Sequence, residues 1–447
     1  MMNKVSFSAY FRNIAVLLLL FTTLPILLGL LGLNGTLGSY IISILCFFLL
    51  TLIGAKLILN EGKYIRFYAI VFITEILLGL AHYLFFVDST YFSTMGGPSA
   101  AFWHEYLSVF EAVERLNESR NLYGIFYWMG TEEFQVTHPE VWHVISWPFY
   151  FMGNKWMNYS ALNVFCCLLI SMNVLLLYRT NYKYDKNVEL KIRFWTAFFP
   201  SFLLSGTVWR DPMGIALVSI GIVLVTLSKN PIERILSCLI LGFFAFIQRT
   251  MYLILAVVSS IWGYVNNIKS KTFKTLLFLI AIIVLYYLSV NTNEVTSEDY
   301  NSAYVNSMSF IALPIKIVFG MIGPFPWSAF STLVEQNPAF AWQLQDYLMG
   351  TFQLGFLICL VCKWKKISFR KMDAMTVMGF GIMVSGFLTK QLHIGYISEG
   401  VLFTLPWFFS QVGSVYNKYF RYSLMILVLL NIVVLVIGNV GISSLWR

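Results

Sequence analysis

Long apolar runs recur from one end of this chain to the other, and short clusters of Lys and Arg punctuate them. A helix crossing a bilayer needs about 20 mostly apolar residues, and cytoplasmic loops between such helices are rich in basic residues. The pattern therefore predicts an all-α polytopic integral membrane protein, with residues 1–447 forming a single membrane domain. Composition closes off the alternatives. Only 11% of residues are charged, against roughly 25% in soluble domains. That supply excludes a soluble enzyme, a disordered chain and a nucleic-acid-binding module. The net charge of +9 lies in clusters between apolar runs rather than on one polar face, so it marks sidedness and not nucleic acid.

Expected spans are residues 14–33, 40–59, 67–87, 159–178, 194–209, 213–227, 235–247, 251–264, 275–290, 347–362, 374–389, 401–416 and 422–440. Basic loops at 63–66, 179–193, 229–234, 269–274, 363–371 and 418–421 all fall on one side if the N-terminus, with Lys4 and Arg12, is cytoplasmic. This gives about 13 spans in alternation. The first run is long enough to span and lacks a small-residue cleavage site, so it reads as a helix and not as a signal peptide. Two places break the regularity. The runs flanking Arg249 reach only about 20 Å at 1.5 Å per residue, short of the roughly 30 Å hydrocarbon core. Arg249 is thus expected in a cavity open to the outside. Residues 305–327 contain Pro314, Pro324 and Pro326 around Lys316, and residues 305–346 read as a broken or re-entrant segment with an outer loop.

The outer side concentrates the chemistry. Residues 88–158 form a large periplasmic loop with the acids Asp88, Glu105, Glu111, Glu114, Glu118, Glu132, Glu133 and Glu140, against the bases Arg115, Arg120 and Lys155. Within it Phe102, Tyr106, Val109, Val113 and Leu116 recur at helical spacing, which predicts an amphipathic helix along the membrane surface. His82, His104, His138, His143 and His393 all fall toward the same side without zinc-site spacing, so no metal is expected. Cys359 and Cys362 could mimic a redox motif, but at the end of an apolar helix they read as packing. Charges embedded in apolar surroundings are costly and mark function. Glu75, Arg210, Asp211, Arg249, Lys316, Lys390 and Glu399 are of this kind. Glu75 lies mid-span and suits an ion pair. The four cations among the others suit a polyanionic headgroup, because an Arg fork grips phosphate through two hydrogen bonds.

The order of motifs is recognisable: His138-Pro139-Glu140 through Trp147-Pro148, a span and a basic loop, then Phe199-Pro200-Ser201 and Trp209-Arg210-Asp211-Pro212. Arg249, Gly323-Pro324-Phe325-Pro326-Trp327 and a charged turn from Lys390 to Glu399 before Pro406 follow. This order resembles the O-antigen and capsule repeat-unit polymerases (Wzy-like) and the related polyprenyl-dependent glycosyltransferases of the GT-C type. The resemblance covers roughly residues 88–406. It implies an inner-membrane enzyme acting at its periplasmic face on an undecaprenyl-diphosphate-linked glycan, with no cofactor and with a flippase and chain-length regulator as partners. In that role Arg210, Asp211, Arg249, Lys316, Lys390 and His138 would bind substrate, while Asp88, Glu105 or His393 would take the acceptor proton. One departure is that Asn34 to Ser39, the first outer loop, lacks the acid that lipid-phosphate-sugar transferases carry there. A single-sugar GT-C transferase and a lipid-linked oligosaccharide flippase are the alternatives. The second is disfavoured because embedded charges gather on one side and no internal repeat is visible.

Overall fold

The computed structural model describes residues 5–30, 36–86, 156–199, 211–248, 250–265, 340–388 and 394–439, with 272, 276, 317 and 321. The described chain is helical throughout, without strands. In order it forms α1 (Phe7–Gly29), α2 (Thr36–Leu59), α3 (Gly62–Phe86), α4 (Trp156–Asn181), α5 (Lys186–Ala197) and α6 (Asp211–Leu227). There follow α7 (Pro231–Gln248), α8 (Thr250–Val265), α9 (Phe340–Lys363), α10 (Ala374–Leu388), α11 (Ile394–Val412) and α12 (Tyr416–Asn439). Four stretches among the described residues are long and apolar enough to cross a membrane: Phe7–Gly29, Gly38–Leu59, Ser160–Asn181 and Tyr347–Lys366. The outward surface is equally apolar. On α7 Ile232, Ile235, Leu239, Phe243 and Phe246 form an exposed stripe, and on α12 Met425, Leu429, Ile432 and Val433 face outward. Helices apolar on both faces suit a lipid solvent and not water.

The core is built around α4. Residues 160–178 of it are all buried, packed by α2, α3, α5, α6 and α11. A polar group in this enclosed stretch is stabilised where it finds a partner within the bundle. Asn173 accepts from the Tyr10 hydroxyl at 2.8 Å and donates to Ser219 Oγ at 2.9 Å, tying α1 and α6 to α4. Ser171 lies 3.0 Å from the Tyr68 hydroxyl and 2.7 Å from Thr196 Oγ1, tying α3 and α5 to it. Interhelical hydrogen bonds of this kind contribute about 0.6 kcal/mol each in a membrane. Elsewhere small residues allow close approach. A Cβ on Gly379 would fall 2.5 Å from the Gly400 carbonyl oxygen, so α10 and α11 meet backbone to backbone.

Contacts between turns gather the basic segments at one end. Arg179 pairs with Glu61 in the turn between α2 and α3. Asn181 donates to Asp373 at 2.8 Å, just before α10. The Trp262 indole, near the end of α8, donates to the Met372 carbonyl at 3.1 Å. Lys191 reaches the Gly413 carbonyl at 3.0 Å, where a positive φ of 55° suits glycine and turns the chain between α11 and α12. Asn13 donates to the Leu57 carbonyl at 2.7 Å, which brings the start of α1 to this end as well.

Most described helices start earlier than the sequence expectation, and the differences that bear on the site are these. Residues 194–209 do not form one helix: α5 starts at Lys186, capped by the Asp185 carboxylate, and ends at Ala197. Phe199 precedes Pro200, which disfavours helical backbone there. At 12 residues α5 is about 18 Å long and runs back along α4, so Thr196 meets Ser171 about 15 Å in from the α4 terminus. The pair around Arg249 is longer than its apolar core suggests. α7 has 18 residues and α8 has 16, about 27 and 24 Å. A capping box explains the gain: Glu233 N–H donates to Asn230 Oδ1 at 2.8 Å and Glu233 Oε2 accepts from Lys229 N–H at 2.8 Å, with Pro231 opening the helix. Finally, α11 begins at Ile394, so Glu399 lies inside a helix and not in a turn. Of the expected loop 88–158, residues 88–155 lie outside the described residues and 156–158 already belong to α4; of 305–346, residues 340–346 already belong to α9 and most of the rest lies outside the described residues. Of the latter Ile317 and Met321 pack against the main core.

Candidate functional site

The end opposite the basic turns is where the sequence places its chemistry. Four described termini lie at that end: the start of α6 at Asp211, the α7 end at Gln248, the α8 start at Thr250 and the α11 start at Ile394. Close by, the Tyr252 hydroxyl of α8 donates to Glu399 Oε2 of α11 at 2.8 Å, and both residues are buried. Gln248 is buried at the end of α7. Charge and amide groups here sit in an interior of low dielectric, where each polar contact is stronger than in water and each missing one more costly. Such a setting can hold an anion firmly if cations are delivered to it.

Of the residues singled out from sequence, Asp88, Glu105, His138, Arg210, Arg249, Lys316, Lys390 and His393 lie outside the described residues. Asp211 opens α6. Arg210 directly precedes that opening, and Arg249 is the residue between α7 and α8. Among the embedded charges, Glu399 and Glu75 are described, and both are buried. Cys359 is buried while Cys362 is exposed, three positions apart on α9. Among the described residues no group of three His, Cys, Asp or Glu side chains comes together as a metal set.

At the basic end the structure shows a charged cluster that sequence reasoning passed over. Glu189 on α5 is buried, accepts from the Tyr64 hydroxyl at 2.8 Å and faces Lys63 Nζ at 3.6 Å. Lys63 also pairs with Glu61 at 3.0 Å. The Arg193 guanidinium stands 4.6 Å from the Phe67 ring centroid and 5.7 Å from that of Tyr64. Cation–π contact lets the ring faces stabilise a guanidinium that enters an apolar bundle. Burial alone would raise the Glu61 carboxyl. The hydrogen bond from Lys63 and the charges of Arg179 and Lys63 outweigh it and hold Glu61 below the usual carboxylate range. The available signal in sequence was the helical spacing of Glu189 and Arg193, four apart, with Val188, Ile192 and Thr196 on the buried side.

The chain matches no protein-family model, and no curated protein or solved structure matches it.

Proposed function

We propose that this protein is a bacterial inner-membrane glycan polymerase. In this reading it transfers an undecaprenyl-diphosphate-linked oligosaccharide onto a new repeat unit at its periplasmic face, in O-antigen or capsule assembly. The observation that carries the reading is one of placement. The helix ends adjoining Arg210, Arg249, Lys390 and His393 lie at one end of the bundle, and the basic turns gather at the other. Under the positive-inside rule the basic end is cytoplasmic, which puts the first group outside.

The chemistry asked of that end is specific. Cleaving the glycosyl–diphosphate bond builds negative charge on the leaving diphosphate and oxocarbenium character on the sugar. Arg210 and Arg249 would hold the diphosphate by paired hydrogen bonds, with Lys316 and Lys390 adding charge and His138 and Asp211 completing the polar wall. Fixed cations in a water-poor site stabilise the charge that develops, and in most enzymes no other effect lowers the barrier more. A carboxylate from the acidic loop, Asp88 or Glu105, would take the acceptor proton, an effect of about 10²–10⁴-fold. His393 is the competing base, since imidazole titrates near neutral pH.

The test is polymer ladder formation in a deletion strain carrying Asp88→Asn, Glu105→Gln or His393→Ala. Loss of ladders with either carboxylate variant, at normal membrane abundance, is expected. Normal ladders from both, with loss in His393→Ala, would transfer the role to the histidine. A deletion strain that still builds normal polymer would sink the reading altogether.

A further inference from the structure

The basic end holds a second polar site. A cavity of about 440 Å³ opens among the ends of α4, α6, α7 and α8 and the segment entering α10. That size is in the range of small-molecule sites, about 300–1,000 Å³. Its lining includes two cations, Arg234 of α7 and Lys371 of the short turn before α10. Asp373 is the only acid lining it among the described residues, and both its oxygens already accept hydrogen bonds. Asn181 donates to one oxygen at 2.8 Å, while the Thr376 N–H at 2.9 Å and the Thr376 hydroxyl at 2.7 Å donate to the other. Asp373 is therefore the N-cap of α10, where a carboxylate suits the helix dipole.

Ser259 supplies an independent observation. It lines the cavity, is fully buried, and its Oγ has no hydrogen-bond partner among the described residues. A buried polar group left without a partner is destabilising, so a ligand that supplies one is favoured. The wall is also rigid, because the Trp262 indole is fixed to the Met372 carbonyl at 3.1 Å. Two cations against one acid whose oxygens are already hydrogen-bonded, with a hydroxyl donor without a partner, describe a site for a compact anion with several acceptor oxygens.

We propose that this cavity binds a phosphate ester, held by Arg234 and Lys371 and accepting a hydrogen bond from Ser259. Arg offers the fork that matches phosphate oxygens, and Lys adds a point charge. The phosphate can be carried on a lipid headgroup entering from the bilayer or on a small phosphorylated solute. The site is separate from the proposed transfer site at the other end, and the inference stands without the glycan reading.

The experiment is thermal unfolding of the purified full-length protein in neutral detergent, with two probes. Phosphatidylglycerol in the micelle represents the lipid source, and free glycerol 3-phosphate the soluble one. Ligands that bind only the folded state raise its Tm. In the wild type a rise of several degrees is expected from phosphatidylglycerol alone if the source is lipid, and from both probes if it is a solute. Arg234→Gln, Lys371→Gln and Ser259→Ala should each lose at least half of that rise. Lys371 lies on an exposed turn outside any α-helix, so its variant keeps the test valid if the helical ones fold poorly. A rise equal in wild type and Lys371→Gln, or no rise with either probe, overturns the proposal.

Discussion

The Tyr252 hydroxyl donates a 2.8 Å hydrogen bond to the Glu399 carboxylate, linking α8 to α11 between two buried side chains. Of the charges picked from sequence as embedded, Glu399 is one whose partner the structure names. The bond ties the helix that begins beside Arg249 to the helix that begins beside His393.

Removing the donor leaves a buried carboxylate short of one hydrogen bond, at a cost of about 1–3 kcal/mol. Tyr252→Phe should therefore lower the Tm of the detergent-solubilised protein. Glu399→Gln, which keeps an acceptor oxygen for Tyr252, should lower it less. A larger loss in Glu399→Gln than in Tyr252→Phe would mean that the charge, and not the hydrogen bond, matters for stability.

If Arg210 and Arg249 grip diphosphate through paired hydrogen bonds, a Lys point charge cannot replace the fork in full. Arg→Ala at either position should abolish polymer, and Arg→Lys should shorten or thin the ladder, with the protein at normal level in the membrane. Full-length ladders from both Ala variants would remove these residues from the site.

Sidedness is checked by fusing a reporter that works only in the cytoplasm. A fusion after Lys183, in the turn between α4 and α5, should be active, and one after Gly130 should be silent. Lys183 precedes α5, which begins at Lys186, so the fusion interrupts no helix. Activity at Gly130 would invert the whole arrangement and with it the proposed function.

The Glu61 cluster predicts an acid-sensitive contribution to stability. The folded state holds this carboxyl lower than the unfolded chain, where it titrates near its ordinary value of about 4.3. The contribution is therefore complete above that value and is lost as pH falls through the lower, folded one. Glu61 is 35% exposed at the side chain, so the effect is small. The Tm gap between wild type and Glu61→Gln should be present at pH 7 and close toward pH 3. A gap that does not change with pH would show that packing, and not the ion pair, sets it.

The sequence made the helical class plain, because length and apolarity are local properties. It also showed which clusters are basic, and the contacts of Asn181 with Asp373 and of Trp262 with Met372 bring several of them together. It misjudged α5, because an amphipathic start at Lys186 and a stop before Pro200 do not look like a span. It trimmed α7, because Asn230 to Glu233 are polar yet form a cap. The cavity lined by Arg234, Ser259 and Lys371 was invisible for another reason. Its residues come from segments far apart in sequence, and nothing local marks a serine as buried without a partner.

The enclosed middle of α4 has a consequence for how the protein is put together. So apolar a stretch enters a bilayer readily, yet lipid itself offers its Ser171 and Asn173 side chains no hydrogen-bond partner. Association of helices already in the membrane is driven by packing and by such polar groups. Tyr10 and Ser219 answer Asn173, and Tyr68 and Thr196 answer Ser171. Each arriving neighbour thus meets a matching hydroxyl or amide at one depth, and a helix docked a turn out of place would meet none. The middle of the bundle works as a set of keyed sockets that checks the position of four other helices as they assemble.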